Sequence, residues 1–129
     1  MKKKRVAFAA ALAARPLVLA LDEPTAGQDM FFRSALEDLL RRLCSWGQAV
    51  LLVTQDLSFA ERCAHRWLLM AEGRIVADGR PQAVMADESV MQAARLEPTD
   101  AFRLSGMLSA DRQKGTDDKK IRADRPNSG

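Results

Sequence analysis

Two adjacent carboxylates, Asp22 and Glu23, are the side chains in this sequence best suited to chemistry. They follow the apolar run LVLAL of residues 17–21, and a short continuous apolar run is typical of a strand buried on both faces of a parallel sheet. Ligands of open α/β sheets bind where such strands end. Neighbouring residues on an extended chain point in different directions, so one carboxylate can face a hydrated Mg²⁺ while the other activates a water. The tripeptide Asp-Glu-Pro alone fits a solvated turn equally well.

The elements around this pair predict a β–α–β unit. Asp29 is a suitable N-cap for a helix over residues 30–44. A second apolar run, AVLLV at residues 49–53, predicts a second buried strand, and the crossover between the two parallel strands should be right-handed. The apolar face of the helix, at the spacing i, i+3, i+4 and i+7, consists of Leu36, Leu39, Leu40 and Leu43.

The other segments predict helices and one hairpin. A first helix over residues 2–14 ends at an Arg-Pro pair, because proline disfavours helical geometry in the residue before it. Two runs, 67–70 and 74–78, flank Gly73 and predict a β-hairpin. Further short helices are predicted at 57–64, from Pro81 onward and at 88–95.

Composition is that of a single globular domain. The 129 residues are 47% hydrophobic and 29% charged, which allows a packed core. Cys44 and Cys63 are too few for a disulfide scaffold and lack the spacing of a metal site. No apolar run approaches the roughly 18–20 residues of a membrane span. We assign residues 1–105 to the folded domain and 106–129 to a polar tail that is expected to be disordered.

The net charge of +3 comes from the two ends of the chain. Residues 6–110 carry ten arginines and thirteen acidic residues, and all six lysines lie outside this segment. Proteins that bind nucleic acid usually concentrate basic charge on a folded face. An acidic body with basic ends therefore argues against nucleic acid as a partner.

The N-terminal residues allow a second interpretation. Residues 1–14, MKKKRVAFAAALAA, have the basic start and apolar stretch of a secretory signal. The stretch is mostly alanine, which favours helix but is weakly hydrophobic. We favour a helix with a basic first turn, and a small exported protein with a signal peptide over 1–14 stays as an alternative.

Residues 19–29, LALDEPTAGQD, resemble the Walker B motif and D-loop of ATP-binding cassette (ABC) ATPases. Downstream, AVLLVTQD resembles the switch loop of that family and WLLMAEGRIVADGRP its late β-hairpin, while KKKRVAFAAALAARP is similar to the helix that follows its signature motif. The continuation QAVMADESVMQAARLEPT is most similar to energy-coupling-factor and cobalt-type importer ATPases. The resemblance covers residues 2–105. It implies a partial P-loop NTPase-like α/β fold, with parallel buried strands, crossover helices, a late hairpin and C-terminal helices.

The resemblance also implies roles for the matched polar residues. Asp22 would hold the Mg²⁺ of Mg-ATP through water, and Glu23 would be the general base or water-positioning carboxylate. Gln55 lies where the family has a switch histidine that contacts the γ-phosphate and aligns the attacking water. The D-loop residues that would contact a second ATPase subunit across a dimer interface are Ala26, Gly27 and Asp29.

Departures from the family pattern bear on activity. The sequence contains no G-x-x-x-x-G-K-[ST] phosphate loop and no Leu-Ser-Gly-Gly signature. We therefore interpret it as the C-terminal half of an ATPase domain, a fragment that is catalytically incomplete alone. The amide of Gln55 can donate a hydrogen bond but carries no titratable proton, which argues against hydrolysis at this site. Gln28 is a milder departure, at a position that is usually apolar.

By this resemblance the chain is an ATP-binding and ATP-hydrolysing subunit, or a fragment of one, of an ABC-type importer that couples ATP hydrolysis to transmembrane transport. Its cofactors would be ATP and Mg²⁺, and its partners a second ATPase subunit and a transmembrane transporter subunit. It would be cytoplasmic and peripheral on the inner face of the cell membrane. The alternative within the same family is a non-catalytic pseudo-ATPase or interaction module that docks on a transporter.

Overall fold

A computed structural model of the chain describes residues 2–110. In chain order the elements are α1 (Lys2–Ala13), β1 (Val18–Asp22), α2 (Met30–Ser45), β2 (Ala49–Val53), α3 (Leu57–Cys63), β3 (Trp67–Ala71), β4 (Arg74–Gly79), α4 (Pro81–Ala86), α5 (Glu88–Ala93) and α6, a helix over residues 100–110. Within this part of the chain, no helix has the length and apolar character that a bilayer crossing requires.

The predicted β–α–β unit is confirmed. β1 and β2 pair in parallel, with Asp22 opposite Val53 in the register, and α2 connects them. The helix begins at Asp29, whose carboxylate accepts a hydrogen bond from the N–H of Phe32 at 2.7 Å, as a side-chain N-cap does. It is followed by Gly47 at a φ of 85°, a left-handed conformation that glycine adopts without steric cost. The carboxyl ends of both strands therefore lie at one edge of the pair.

Two apolar clusters form the interior of the described residues. The first lies between the β1/β2 pair, α2 and α3, and the second lies between α3, the hairpin, α4 and α5. The first cluster consists of Leu19, Leu21, Leu36, Leu40, Leu43 and Phe59. The second consists of Ala60, Trp67, Leu69, Val84, Met85 and Met91. Because α3 supplies the neighbouring residues 59 and 60 to different clusters, this short helix joins the two.

The prediction that the parallel strands are buried on both faces is wrong for the described residues. Buried and exposed positions alternate along β1, and Val18 is 61% exposed. On β2, Leu51 and Val53 are each 54% exposed. The physical reason is that the first cluster covers one face of the pair only. The apolar run identified the strand correctly, but it did not reveal which of its faces is covered.

The predicted hairpin is confirmed. β3 and β4 pair antiparallel, with a register shift between Leu69 and Met70. Gly73, at a φ of 74°, lies in the turn as expected. The short helix predicted from Pro81 is also present, with this proline in its first turn, where the missing N–H costs nothing.

The predicted boundary at residue 106 does not coincide with the end of regular structure. α6 continues through residue 110, so the expectation of a disordered tail is wrong for residues 106–110. The rest of that predicted tail, 111–129, lies outside the described residues.

Candidate functional site

The carboxyl end of β1 places the two predicted carboxylates in different environments. Asp22 is exposed, and no described residue makes a hydrogen bond or ion pair to its carboxylate. Glu23 is half-buried and has a φ of 41°, a left-handed conformation that costs energy for a residue other than glycine. The N–H of Glu23 donates to the carbonyl of Val53 at 2.8 Å, so β2 holds this turn of the backbone. The two neighbouring carboxylates therefore differ in burial, and the separate roles expected of them stay predictions.

Both oxygens of the Glu23 carboxylate accept hydrogen bonds from residues 54–56, the segment after β2, which we term the switch segment. Oε1 accepts from the backbone N–H of Gln55 at 2.7 Å, and Oε2 accepts from the hydroxyl of Thr54 at 3.1 Å. Hydrogen bonds to an ionised carboxylate are roughly twice as strong as those between neutral groups. Together these two contacts fix the orientation of the carboxylate.

Gln55 meets Glu23 through its backbone. The residue is exposed, and the N–H that it donates is present in every residue type except proline. The structure therefore brings Glu23 and position 55 together. The role predicted for the Gln55 side chain stays a prediction. Thr54, the second donor, was not identified from the sequence, although a hydroxyl residue directly after a strand that ends at the same edge was an available signal.

The D-loop residues lie in the turn between Glu23 and α2. Gly27 adopts a φ of 68°, and Asp29 is committed to the N-cap of α2. Ala26, Gly27 and Asp29 are all exposed. Contact of these residues with a second subunit stays a prediction.

An ion pair that the sequence analysis did not identify joins α2 to the switch segment. Arg33 Nη2 pairs with Asp56 Oδ2, and their side chains are 27% and 22% exposed. The other oxygen of Asp56, Oδ1, accepts from the N–H of Phe59 at 3.0 Å and caps α3. A basic residue near a helix N-terminus opposes the helix dipole, and this was the available signal that Arg33 has a specific partner.

The donor set bears on which metal could bind. Among residues 2–110, no group of three His, Cys, Asp or Glu side chains is arranged to hold an ion. Mg²⁺ needs few protein ligands, because it keeps several waters and is usually bound through one or two carboxylates together with phosphates. The exposed carboxylate of Asp22 fits that limited role. The phosphates themselves have no cradle in this sequence, which lacks the phosphate-loop motif.

Known proteins are similar to most of this chain. Over 107 residues, 83% of the chain, it is 38% identical to a putative ABC transporter ATP-binding protein of Enterococcus faecalis. Over 96 residues, 74% of the chain, it is 44% identical to a putative ABC transporter ATP-binding protein of Streptomyces avermitilis. The chain is a relative of the ABC transporter ATP-binding proteins.

A solved structure agrees with this kinship. CbiO1 from Clostridium perfringens is part of the ABC transporter complex CbiONQ. It is 30% identical to the present chain, and its structure matches 81% of the present chain with a TM-score of 0.53. The α/β elements described above are accordingly a partial P-loop NTPase-like fold. The chain spans only 19%, 36% and 42% of the length of the E. faecalis, S. avermitilis and C. perfringens relatives, respectively. No protein-family model matches it.

Proposed function

We propose that this chain supplies the carboxylate side of an ABC-type ATPase site, with one carboxylate for Mg²⁺ and one for the attacking water. The observation that carries the proposal is the pair of hydrogen bonds from the switch segment to Glu23. Under this proposal, residues 19–29 are a Walker B motif followed by a D-loop. The kinship with ABC transporter ATP-binding proteins supports the same reading.

The two carboxylates would divide the work at this sheet edge. Asp22, exposed at the end of β1, would bind Mg²⁺ through water, and the bound ion would neutralise charge on the phosphates. Glu23 would accept a hydrogen bond and then the proton from the attacking water. The donors Thr54 and Gln55 would keep its carboxylate in place during this transfer. In phosphoryl transfer, such positioning accounts for much of the catalysis.

The same proposal extends to an importer of the energy-coupling-factor or cobalt type. It is supported by the likeness to CbiO1, which is part of the CbiONQ complex. The partners would be a transmembrane subunit and a second ATPase subunit, the latter contacted through the exposed residues Ala26, Gly27 and Asp29. The chain would then be a peripheral subunit on the cytoplasmic face of the membrane. Alone, it should neither bind ATP tightly nor hydrolyse it.

One observation favours a second, non-catalytic candidate. The residue at the switch position is Gln55, whose amide cannot carry a titratable proton. In this candidate the chain docks on a transporter or on a complete ATPase without contributing to hydrolysis.

A chimera tests the catalytic proposal. The segment of the S. avermitilis relative that matches this chain is replaced by the corresponding residues of this chain, and Mg²⁺-dependent ATP hydrolysis is measured. The Glu23→Gln variant should hydrolyse ATP at least about a hundredfold more slowly, since general-base catalysis contributes roughly 10²–10⁴-fold. Arg41→Gln, an exposed change on α2, is the control and should leave the rate unchanged.

Two results would decide between the candidates. A folded chimera that binds ATP but hydrolyses it no faster than its Glu23→Gln variant contradicts the catalytic proposal. Hydrolysis that occurs only after Gln55→His supports the non-catalytic candidate for the natural sequence.

A further inference from the structure

We infer that Arg33 is a positioning residue for the Glu23 site. Through Asp56, it holds the switch segment in the conformation that presents the Thr54 hydroxyl and the Gln55 N–H to the Glu23 carboxylate. The catalytic meaning of this inference rests on the proposed function, because it requires Glu23 to act on a water. The geometric part can be tested without any hydrolysis.

A continuous set of contacts leads from Arg33 to Glu23. The guanidinium of Arg33 pairs with the carboxylate of Asp56. The N–H of Asp56 donates to the hydroxyl oxygen of Thr54 at 3.0 Å. That hydroxyl in turn donates to Glu23 Oε2 at 3.1 Å. Gln55 lies between the two held residues, so the direction of its N–H depends on both of them.

Local helix stability does not explain an arginine at this position. Its positive charge near the N-terminus of α2 is unfavourable to the helix dipole. Its Nε is buried and has no hydrogen-bond acceptor among the described residues, which also costs stability. The contact that accounts for Arg33 is therefore the ion pair with Asp56, a residue 23 positions away on a different element.

The two carboxylate oxygens of Asp56 have different partners, so its role as the cap of α3 can be separated from its ion pair with Arg33. Oδ1 caps α3 through the N–H of Phe59, and Oδ2 pairs with Arg33. Asparagine caps helices about as well as aspartate but has no charge for an arginine. Asp56→Asn therefore keeps the cap and removes the ion pair, which isolates the contribution of Arg33 to the switch segment.

The test follows the Gln55 N–H directly in the full chain, by ¹H–¹⁵N spectra and amide hydrogen exchange. We expect Arg33→Gln and Asp56→Asn to move the Gln55 amide signal. Both should also raise the exchange rate of the Gln55 amide about tenfold relative to that of a core amide, Leu40. The reason is that the charge-assisted hydrogen bond from the Gln55 N–H to the Glu23 carboxylate is lost. Arg33→Lys keeps the charge and should restore most of the wild-type signal.

The matched control is Arg41→Gln, on the same helix, where Arg41 forms an exposed pair with Asp38. It should leave the Gln55 amide unchanged. An unchanged Gln55 amide in both Arg33→Gln and Asp56→Asn overturns the inference, as does an equal change in the control. If Arg33→Gln does not fold, Asp56→Asn alone decides by the same criterion.

The chimera adds a readout that a purely structural role would not move. Arg33→Gln should lower kcat by about tenfold or more and leave the KM for ATP nearly unchanged, because Arg33 contacts the switch segment and not the nucleotide. A parent chimera that folds and binds ATP but does not hydrolyse it defeats the proposed function, while the Gln55 amide result still decides the geometry. If the chimera is active and Arg33→Gln leaves its kcat unchanged, the inference is overturned and the proposed function stands.

Discussion

Two arginine–carboxylate pairs join neighbouring elements of this chain, and they differ in what else their members contact. Arg66, just before β3, donates two hydrogen bonds to Asp78 of β4 at 2.7 and 2.6 Å, with side chains 70% and 45% exposed. Arg33 pairs with Asp56 at roughly half that exposure or less, 27% and 22%. Asp56 also caps α3 and donates to the residue that holds Glu23.

The number of hydrogen bonds in an ion pair is therefore a poor guide to its importance. The pair on the hairpin makes two hydrogen bonds, but it is exposed, so water screens its charges. The pair at the switch segment is shielded and connected to a candidate catalytic carboxylate. We therefore expect the hairpin pair to be dispensable and the switch pair to control a site.

The largest expected effect tests whether the two regions fold together through α3. Phe59 is fully buried in the first cluster and Met85 almost fully buried in the second. Phe59→Ala should lower the free energy of unfolding by about 3–5 kcal/mol and Met85→Ala by about 2–5 kcal/mol, each within one cooperative transition. Urea unfolding followed by circular dichroism measures both. A separate early transition in Met85→Ala would mean that the hairpin region unfolds independently of the β–α–β unit.

Cys63 is the last residue of α3, the helix that contributes to both clusters, and the reactivity of its thiol depends on how deeply that thiol is buried. Burial, and after it the neighbouring Glu37 carboxylate, raises the pKa of Cys63 to about 11. Because the thiolate is the reactive form, alkylation of Cys63 near neutral pH should be about a hundredfold slower than that of an ordinary exposed cysteine. Iodoacetamide labelling followed by mass spectrometry measures the rate, and Cys63→Ser should remove the slow phase. Fast labelling of Cys63 would show that this end of α3 opens readily.

The next effect compares the two ion pairs directly. Arg33→Gln leaves the half-buried carboxylate of Asp56 without its partner, so we expect a loss of about 1–2 kcal/mol in the free energy of unfolding. Arg66→Gln, on the exposed hairpin pair, should produce a much smaller loss. Thermal unfolding of the two variants at equal ionic strength is the measurement. Equal losses would remove the distinction between the pairs.

The smallest expected effect is the pH dependence of the hairpin pair. The hydrogen bond from Arg66 lowers the pKa of Asp78. A lowered pKa in the folded state stabilises the protein above the unfolded-state pKa, about 3.9, and the benefit is lost as pH falls through the folded-state pKa. Any stability difference between the wild type and Asp78→Asn at pH 7 should therefore shrink as the pH falls below about 3.9. A difference that grows as the pH falls would contradict this explanation of the pair.

Local signals predicted much of the fold. The apolar run before Asp22, the heptad-like leucines of α2 and the turn at Gly73 each depend on nearby residues, and each was confirmed. Which face of the strands is covered could not be predicted, because an apolar run does not indicate whether other elements pack on one face of the strand or on both. Likewise, the exposed helix α6 continues past the polar boundary drawn at residue 106, where composition alone gave no helix signal.

The candidate site was predicted in its residues and missed in its contacts. Glu23 could be singled out by its position after a strand, and Gln55 by the resemblance of AVLLVTQD to the switch loop of ABC ATPases. The hydrogen bond that joins them spans 32 residues and uses a backbone N–H, which no side-chain pattern encodes. Arg33 reaches Asp56 only because α2 packs beside the end of β2 and α3, a tertiary fact that the sequence pattern does not contain.

In this structure the switch segment holds Glu23 and leaves its neighbour Asp22 available. The most direct measurement is the Gln55 amide signal and its hydrogen exchange in Glu23→Ala, with Asp22→Ala as the matched control one residue away. We expect a shifted Gln55 signal and at least about tenfold faster exchange, relative to Leu40, in Glu23→Ala only. A Gln55 amide that is unchanged in Glu23→Ala, or that changes equally in Asp22→Ala, would contradict it.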